Sequence, residues 1–508
     1  MSKNINLFII IILLLGIIFK LFLTANGNFL FNMDNGRDLV DVREMVELKK
    51  LRLTGPTSAI EGLFNGPAWY YLLAIPYIFS DGHPYSTIIL QFVLWAIGGY
   101  FLLKLVSEFN KILIIPIGLL WIASDYISLA TVYAFNPNPV TLTSPLLIFL
   151  IYKYLKTNKL IYSISSFFLG GLFFNFEMNF GIFVPLIITA SILLNKKFHY
   201  FRSRIFWLGS LFFILLFLPQ ILFDIRHDFL MTKSVINYLA NQPESSYNIS
   251  LRLQSLTRSF VDVFSATLMN HRTLSLTIIL LFIPALIKFV KGKQKNEIVM
   301  ICLSFIFIPF IIFLFIPVSV NPWHLGAETS AAIILTGFLL MQLAKFNIWG
   351  KLIGILIGSL IIFFAATNVI NFFAKDFGKP NMDPSSYRNE IAAIDFVYTF
   401  AGGKNFKVYT YLPSVIDYPY QYLFWWYGQK RYGYIPFEYA YHPNVPPYIS
   451  NKEKFEGSKQ NYSGLVFLIK EPDRIKMRRA WEDNFDNLEL IKKEMVGPLE
   501  VEIRQEII

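Results

Sequence analysis

Apolar runs long enough to cross a lipid bilayer recur along this chain, and a soluble fold has no place for so many of them. About 20 apolar residues cover the hydrocarbon core, somewhat fewer where helices are short or flanking side chains snorkel. Segments that qualify begin near Asn6, Ser86, Ile112, Pro139, Leu160, Phe180, Ile205, Thr273, Ile298, Ala327 and Lys351, so eleven spans are expected. Only 16% of the 508 residues are charged, against about 25% in an average soluble domain. A net charge of +11 would suggest nucleic acid in a soluble protein. In a polytopic one it first asks where the lysines and arginines sit, and no nucleic-acid partner is expected. The single cysteine, Cys302, lies in an apolar run and reads as a small buried hydrophobe.

The opening MSKNINLFIIIILLLGIIFKLFLTANG exceeds a signal-peptide core in length, and no small-residue cleavage site follows it. An uncleaved first span is expected. Lysine and arginine then set the orientation. One set of alternate connections carries Lys104 and Lys111; Lys153, Lys156 and Lys159; Lys196, Lys197, Arg202 and Arg204; Lys288, Lys291, Lys293 and Lys295; and Lys345 and Lys351. The opposite set, around Phe135 to Asn138, Phe176 to Asn179 and Val318 to Gly326, has none. By the positive-inside rule the first set is cytoplasmic, which puts the amino terminus inside and the carboxyl terminus outside. Counting the short, proline-bearing stretch Trp69 to Phe79 as a span would invert every later loop. It is therefore expected to be a re-entrant or interfacial helix.

Two long outer loops follow from this topology, 25–80 and 224–272. Asp38 to Leu51 reads as an amphipathic helix on the membrane, with Leu39, Val42, Met45 and Val46 on one side and Arg43, Glu44, Glu47 and Lys50 largely on another. A Gly/Pro-rich turn precedes the Trp69 to Phe79 helix, and Ile249 to Phe264 is a second amphipathic stretch. The chain thus divides into a transmembrane domain, 1–375, and a polar extracytoplasmic α/β domain, 376–508. Strand-like runs at Phe406 to Tyr411, Gly464 to Ile469 and Val501 to Arg504 alternate there with helical patterns at Ser386 to Phe400 and Asp473 to Phe485. The aromatic run Tyr418 to Tyr441 suits core packing, headgroup contact or sugar stacking alike.

Chemistry-capable residues gather at the outer ends of the spans. The stretch NMDNGRDLVDVREM (Asn32 to Met45) places Asp34, Arg37, Asp38 and Arg43 beside the first span, where burial in lipid would cost about 3 kcal/mol per charge. Asn136 and Asn138 stand in AFNPNP, Glu177 in FNFEMNF, Asp224, Arg226 and His227 in LFDIRHDF, and His324 in NPWHLGAE. Each has a structural reading as well. Asp34 would cap the following helix; Asn136 and Asn138, each beside a proline, would break one helix and cap the next; Glu177 would be a paired structural carboxylate; Arg226, His227 and His324 would anchor span ends at the interface. Arginine forks match phosphate geometry, which makes a lipid phosphate the sharper reading of Arg226. No Walker-type glycine loop, metal-spaced His/Cys cluster or G-x-S-x-G elbow is present, so nucleotide chemistry and a divalent metal have no support.

Asp34-Asn35-Gly36-Arg37, then Arg43-Glu44-Met45, then Phe64-Asn65-Gly66-Pro67-Ala68-Trp69-Tyr70-Tyr71, resemble in order and spacing the first outer loop of GT-C polytopic glycosyltransferases, in particular the protein mannosyltransferase and aminoarabinose transferase group. The family's pattern is Asp-Glu-x-Arg, then Arg-x-Met, then a Pro-rich passage before an aromatic helix. Asn35 departs from it, and Asn136-Pro137-Asn138 replaces the acid often found in the second outer loop. The likeness covers the first 230 residues and the span count, not the terminal domain. It implies a sugar moved from a polyprenyl-phosphate donor to an acceptor hydroxyl, on a lipid, glycan or protein, at the non-cytoplasmic face of the cell membrane. Asp34 would then be the general base, and Arg226 with Arg37 would bind the donor phosphate. Arg43, Asn136, Asn138, Glu177, His227 and His324 complete the candidate substrate contacts. Two other readings stay open, a flippase of lipid-linked sugars and a lipid-linked glycan polymerase or ligase.

Overall fold

A computed structural model describes residues 2–243, 248–268, 271–291, 296–443 and 448–506. Lys293 and Lys295, two of the lysines used for topology, lie outside the described residues. In chain order the helices are α1 (Ser2–Leu23), α2 (Met33–Glu47), α3 (Ala68–Ser80), α4 (Tyr85–Ser107), α5 (Ile114–Ala123), α6 (Asp125–Val132), α7 (Asn138–Thr157), α8 (Leu160–Phe176), α9 (Met178–Gly181), α10 (Val184–Leu194), α11 (Arg204–Leu215), α12 (Leu218–Arg226), α13 (Leu230–Ala240), α14 (Ile249–Leu268), α15 (Arg272–Lys291), α16 (Glu297–Phe315), α17 (Gly326–Ala344) and α18 (Ile348–Asn371). Beyond them α19 (Tyr387–Ala401), β1 (Asn405–Tyr411), α20 (Tyr418–Tyr427), β2 (Glu438–Ala440), β3 (Tyr462–Lys470), α21 (Arg478–Glu482), β4 (Leu488–Val496) and β5 (Leu499–Glu506) form an α/β region.

The chain separates into two compact units. A membrane unit takes Met1–Leu21, Arg52–Trp69 and Ile89–Asp376; a polar unit takes Phe22–Leu51, Tyr70–Ile88 and Phe377–Ile508. Among the described residues five helices are long and apolar enough to cross a bilayer, or up to eight if each bent pair counts as one span. The chain is a multi-pass membrane protein. Leu160–Phe176 and Met178–Leu194 are shorter, yet a 17-residue helix still reaches about 26 Å, close to the hydrocarbon thickness. Ala68–Ser80, with 13 residues, reaches only about 20 Å and is too short.

Breaks inside the spans have identifiable causes. The α5–α6 pair bends by 54° at Ser124, whose hydroxyl caps the new helix by accepting from the Ile127 amide. Lys20, fully buried on α1, donates to the freed Ile122 carbonyl at 2.8 Å and to the Ser128 hydroxyl. A donor at the loose C-terminal end of α5 satisfies its orphan carbonyl. Arg252 plays the same part at the end of α16, donating to the carbonyls of Phe313, Leu314 and Ile316.

In the polar unit, α2 begins five residues before the expected amphipathic stretch. Its N-cap is Asn32, not Asp34: the Asn32 side chain accepts from the amides of Asp34 and Asn35, while the Asn35 side chain accepts from the Asn32 amide. Reciprocal capping of this kind fixes the start of the helix without calling on the Asp34 side chain. The expectation that Arg43 and Glu44 face water is wrong, because both are buried. Arg43 lies under the Phe455 ring, 3.8 Å from its centroid, and near Trp425, and Glu44 accepts from Asn451 at 2.6 Å. Helix α2 packs along α20, and Gly36 makes the contact. A Cβ at Gly36 would sit 2.3 Å from the Pro419 nitrogen and 2.5 Å from the Tyr418 carbonyl carbon. Backbone cannot yield as a side chain can, so Gly36→Ala is expected to cost about 1–3 kcal/mol. Thermal unfolding of the purified variant checks this, and an unchanged midpoint would refute the close packing.

The sheet order is β2-β1-β3-β5-β4. β1 pairs in parallel with β2 and β3, and β3-β5-β4 continues antiparallel. One face buries Tyr409, Tyr411, Val466, Leu468, Trp481 and Phe485. The aromatic run expected at Tyr418 to Tyr441 is largely core, with Tyr420, Tyr422, Leu423 and Phe424 at most 1% exposed. Lys470, at the end of β3 and fully buried, is ringed by Glu482, Glu500 and Glu502 at 2.6, 3.4 and 2.6 Å.

Candidate active-site residues

Two polar clusters carry the candidate residues, one in each unit. In the polar unit, Asp34 stands on the first turn of α2 with its side chain 27% exposed, and Oδ1 meets Arg37 Nη1 at 3.0 Å. Arg37 donates through Nε and Nη2 to Asp38 Oδ1, both at 2.9 Å, and Asp38 is buried. Burial opposes the guanidinium charge, but Asp38 above all, with Tyr70 and Asp34, outweighs it and raises the Arg37 pKa. Tyr70 donates to Asp41 at 2.8 Å and Tyr77 to Glu47 at 2.9 Å, which ties α3 to α2 by two hydrogen bonds. Asp34 therefore faces a fixed guanidinium and the positive end of a helix, a setting that complements a carboxylate and holds it in place.

In the membrane unit, three connections distant in sequence meet. The Glu177 carboxylate accepts from the Asn179 amide at 3.1 Å and from Asn179 Nδ2 at 2.8 Å. Asn179 Nδ2 also lies 3.2 Å from His324 Nε2, and His324 Nδ1 accepts from the Asn321 amide. Asn136 donates to the Phe176 carbonyl and Asn138 to the Tyr133 carbonyl, each at 2.7 Å. The two asparagines thus stitch loop carbonyls together and do not cap α7, whose N-cap is Pro137 with no side-chain bond. Asp224 caps α13, accepting from the amides of Met231 and Thr232. Arg226 is exposed at the end of α12, and His227 stacks on Phe223 at 4.0 Å.

No family model and no curated protein matches the chain. Solved structures do. The crystal structure of ArnT from Cupriavidus metallidurans bound to undecaprenyl phosphate matches with a TM-score of 0.62 at 11% identity, covering 98% of each chain. The apo state of the same protein gives 0.52 at 11% identity, covering 98% of this chain and 97% of that one. This chain shares the fold of that ArnT. At such identity the likeness is one of architecture, and the residues must speak for themselves.

Several residues of these two clusters were given no role from sequence. Asp38 holds Arg37, Tyr70 joins α3 to the same network, and Asn179 links Glu177 to His324. Asp38 was named among the charges of the first motif, and its pairing with the adjacent Arg37 could have been drawn there, since an acid beside an arginine next to a span needs a partner. The Asn179 link, across 145 residues, has no local signal.

Glu177 also makes a pH dependence testable. It lies in the connection between α8 and α9, 5% exposed, and burial pushes its carboxyl from 4.5 up to about 7 against the pull of the two Asn179 bonds. Between those values the unfolded chain has released the proton while the folded one keeps it, so rising pH costs stability across that window. Glu177→Gln keeps an acceptor for Asn179 and removes the titration. Its thermal midpoint should match the wild type near pH 4.5 and exceed it above pH 7, by up to about 3 kcal/mol. A gap that does not change with pH would refute the buried titration.

Proposed function

We propose that the protein is a membrane glycosyltransferase that takes a sugar from a polyprenyl-phosphate donor of the undecaprenyl class and passes it to an acceptor hydroxyl on the non-cytoplasmic face. The observation that carries the reading is the partly exposed Asp34 carboxylate, paired to a guanidinium that Asp38 fixes, in a chain with the fold of a protein crystallised with undecaprenyl phosphate. In the reaction, Asp34 takes the proton of the acceptor hydroxyl, whose oxygen attacks the anomeric carbon. The carbon–oxygen bond to phosphate breaks, the polyprenyl phosphate leaves with the electron pair, and the anomeric configuration inverts. Arg226 is the proposed cation on the leaving phosphate. Its exposure suits it to a lipid headgroup, and a guanidinium pairs with phosphate in bidentate fashion.

The test is turnover by purified protein with undecaprenyl-phosphate-linked sugars and an extract of envelope glycolipids, reading release of undecaprenyl phosphate and the anomer formed. Movement of the donor across liposomes without a new glycosidic bond would favour a flippase instead. Broken spans such as α5–α6 are compatible with that alternative.

A further inference from the structure

The carboxyl end of the parallel strands in the polar unit holds a second acidic centre that the transfer reaction does not use. From β1 the chain crosses through α20 to β2 on one side, while β3 lies on the other, so the strand order reverses beside β1. Open α/β sheets take ligands beyond the carboxyl ends of the strands at such a switch point. Glu471 stands there, one residue past β3, with its amide donating to the carbonyl of Tyr411, the last residue of β1. Helix α19 packs on both β3 and α20. Its N-cap is Ser386 and its first turn carries Glu390, which together with Glu471 acts electrostatically on Tyr420 in the first turn of α20.

Five of the oxygens on these side chains are buried without partners among the described residues. Ser386 and Glu390 are fully buried, and Tyr420 and Glu471 are 1% and 3% exposed. Both Glu390 carboxylate oxygens, Glu471 Oε1, Ser386 Oγ and Tyr420 Oη have no hydrogen-bond partner among the described residues. Five unpaired oxygens, two carboxylates among them, are far from the usual satisfaction of buried polar groups, and an uncompensated buried charge is among the most costly features a fold can carry. Glu390 and Glu471 each feel the other's charge or that of Asp383, Tyr420 feels both glutamates, and the nearby cation is Arg474, which is exposed. The contrast with Lys470 is instructive, because there the fold supplies an ammonium to three carboxylates. A backbone bridge between Leu30 and Ser386, with the Phe31 amide on the Ser385 carbonyl and the Tyr387 amide on the Phe29 carbonyl, covers the start of α19.

We propose that Glu390, Glu471, Tyr420 and Ser386 form an enclosed site for one hard divalent cation of the calcium class. The donors are all oxygen, which selects calcium, magnesium or manganese over zinc or copper. Two carboxylates balance the charge of one such ion. Ser386 lies next to the Leu30 bridge, so the ion fastens the first loop's segment to α19, a structural role independent of the transfer reaction.

Full-length protein in detergent, stripped with a chelator and dialysed against calcium alone, is the material for the test. Equilibrium binding should give one ion per chain at a dissociation constant no weaker than about 1 mM, with a calcium-dependent rise in thermal midpoint. Glu390→Gln and Glu471→Gln should each weaken binding at least about tenfold, the loss that removing even an outer-shell partner brings. Tyr420→Phe, which keeps the ring in the core, should weaken it less and remain folded by size exclusion. Absence of bound calcium, magnesium and manganese at about 1 mM in the wild type would overturn the proposal. So would glutamine variants that bind as well as the wild type, or that gain stability regardless of the ion, the mark of an acid pair holding a proton.

Discussion

Asp34→Asn is expected to lower sugar transfer by about 10²–10⁴-fold, the usual contribution of a positioned base, with little effect on insertion or thermal stability. The separation of the two effects follows from the geometry. Asn fills the same volume, α2 is capped by Asn32 rather than Asp34, and Arg37 keeps both of its bonds to Asp38. Loss of turnover in a protein that still unfolds at the same temperature would be a chemical loss. An Asp34→Asn variant with the wild-type rate would remove Asp34 as base.

The second large effect is expected at Asp38. Replacing it with Leu leaves the Arg37 guanidinium buried beside an apolar side chain, with the partly exposed Asp34 as its remaining carboxylate in this motif. Breaking a buried pair from one side costs about 3–5 kcal/mol, and the value here should fall near the lower end because Asp34 compensates. Turnover should fall as well, because Asp34 is drawn into the structural role. The double variant Arg37→Met/Asp38→Leu separates the two consequences. An apolar pair of similar volume removes the stranded charge, so stability should return while activity should not. A double variant no more stable than Asp38→Leu alone would mean that the pair is not the source of the loss.

What sequence could and could not reveal follows from where each residue finds its partners. Of the eleven spans expected, the five that form long unbroken apolar helices among the described residues were legible because such runs need no partner to be recognised, whereas others fall on bent pairs or shorter helices; β1, β3, β5 and α19 were legible from alternation or helical spacing. The amphipathic reading of Asp38 to Leu51 failed for the opposite reason. It assumed that water is the partner of every charge, whereas Arg43 reaches the Gln421 carbonyl across 378 residues and Glu44 reaches Asn451 across 407. The helix expected over Asp473 to Phe485 shrinks to Arg478–Glu482 and a short turn, because Asp473 accepts from the amides of Met477 and Arg478 and from the Tyr411 hydroxyl. β4 escaped notice as an exposed edge strand whose Lys492 and Lys493 mask its alternation, and β2 has only three residues.

The pairing of α2 with α20 has a consequence for how the protein is made. Arg43 cannot meet Gln421 until the ribosome has added the 378 residues between them, which takes roughly 20–80 s at about 5–20 residues per second. Throughout that interval the segment bearing Asp34 has been synthesised but lacks the surface against which it settles. Biogenesis therefore runs late. A chain halted before Pro419 would hold the Asp34 carboxylate on an undocked helix, and the polar unit is complete only when translation is nearly over.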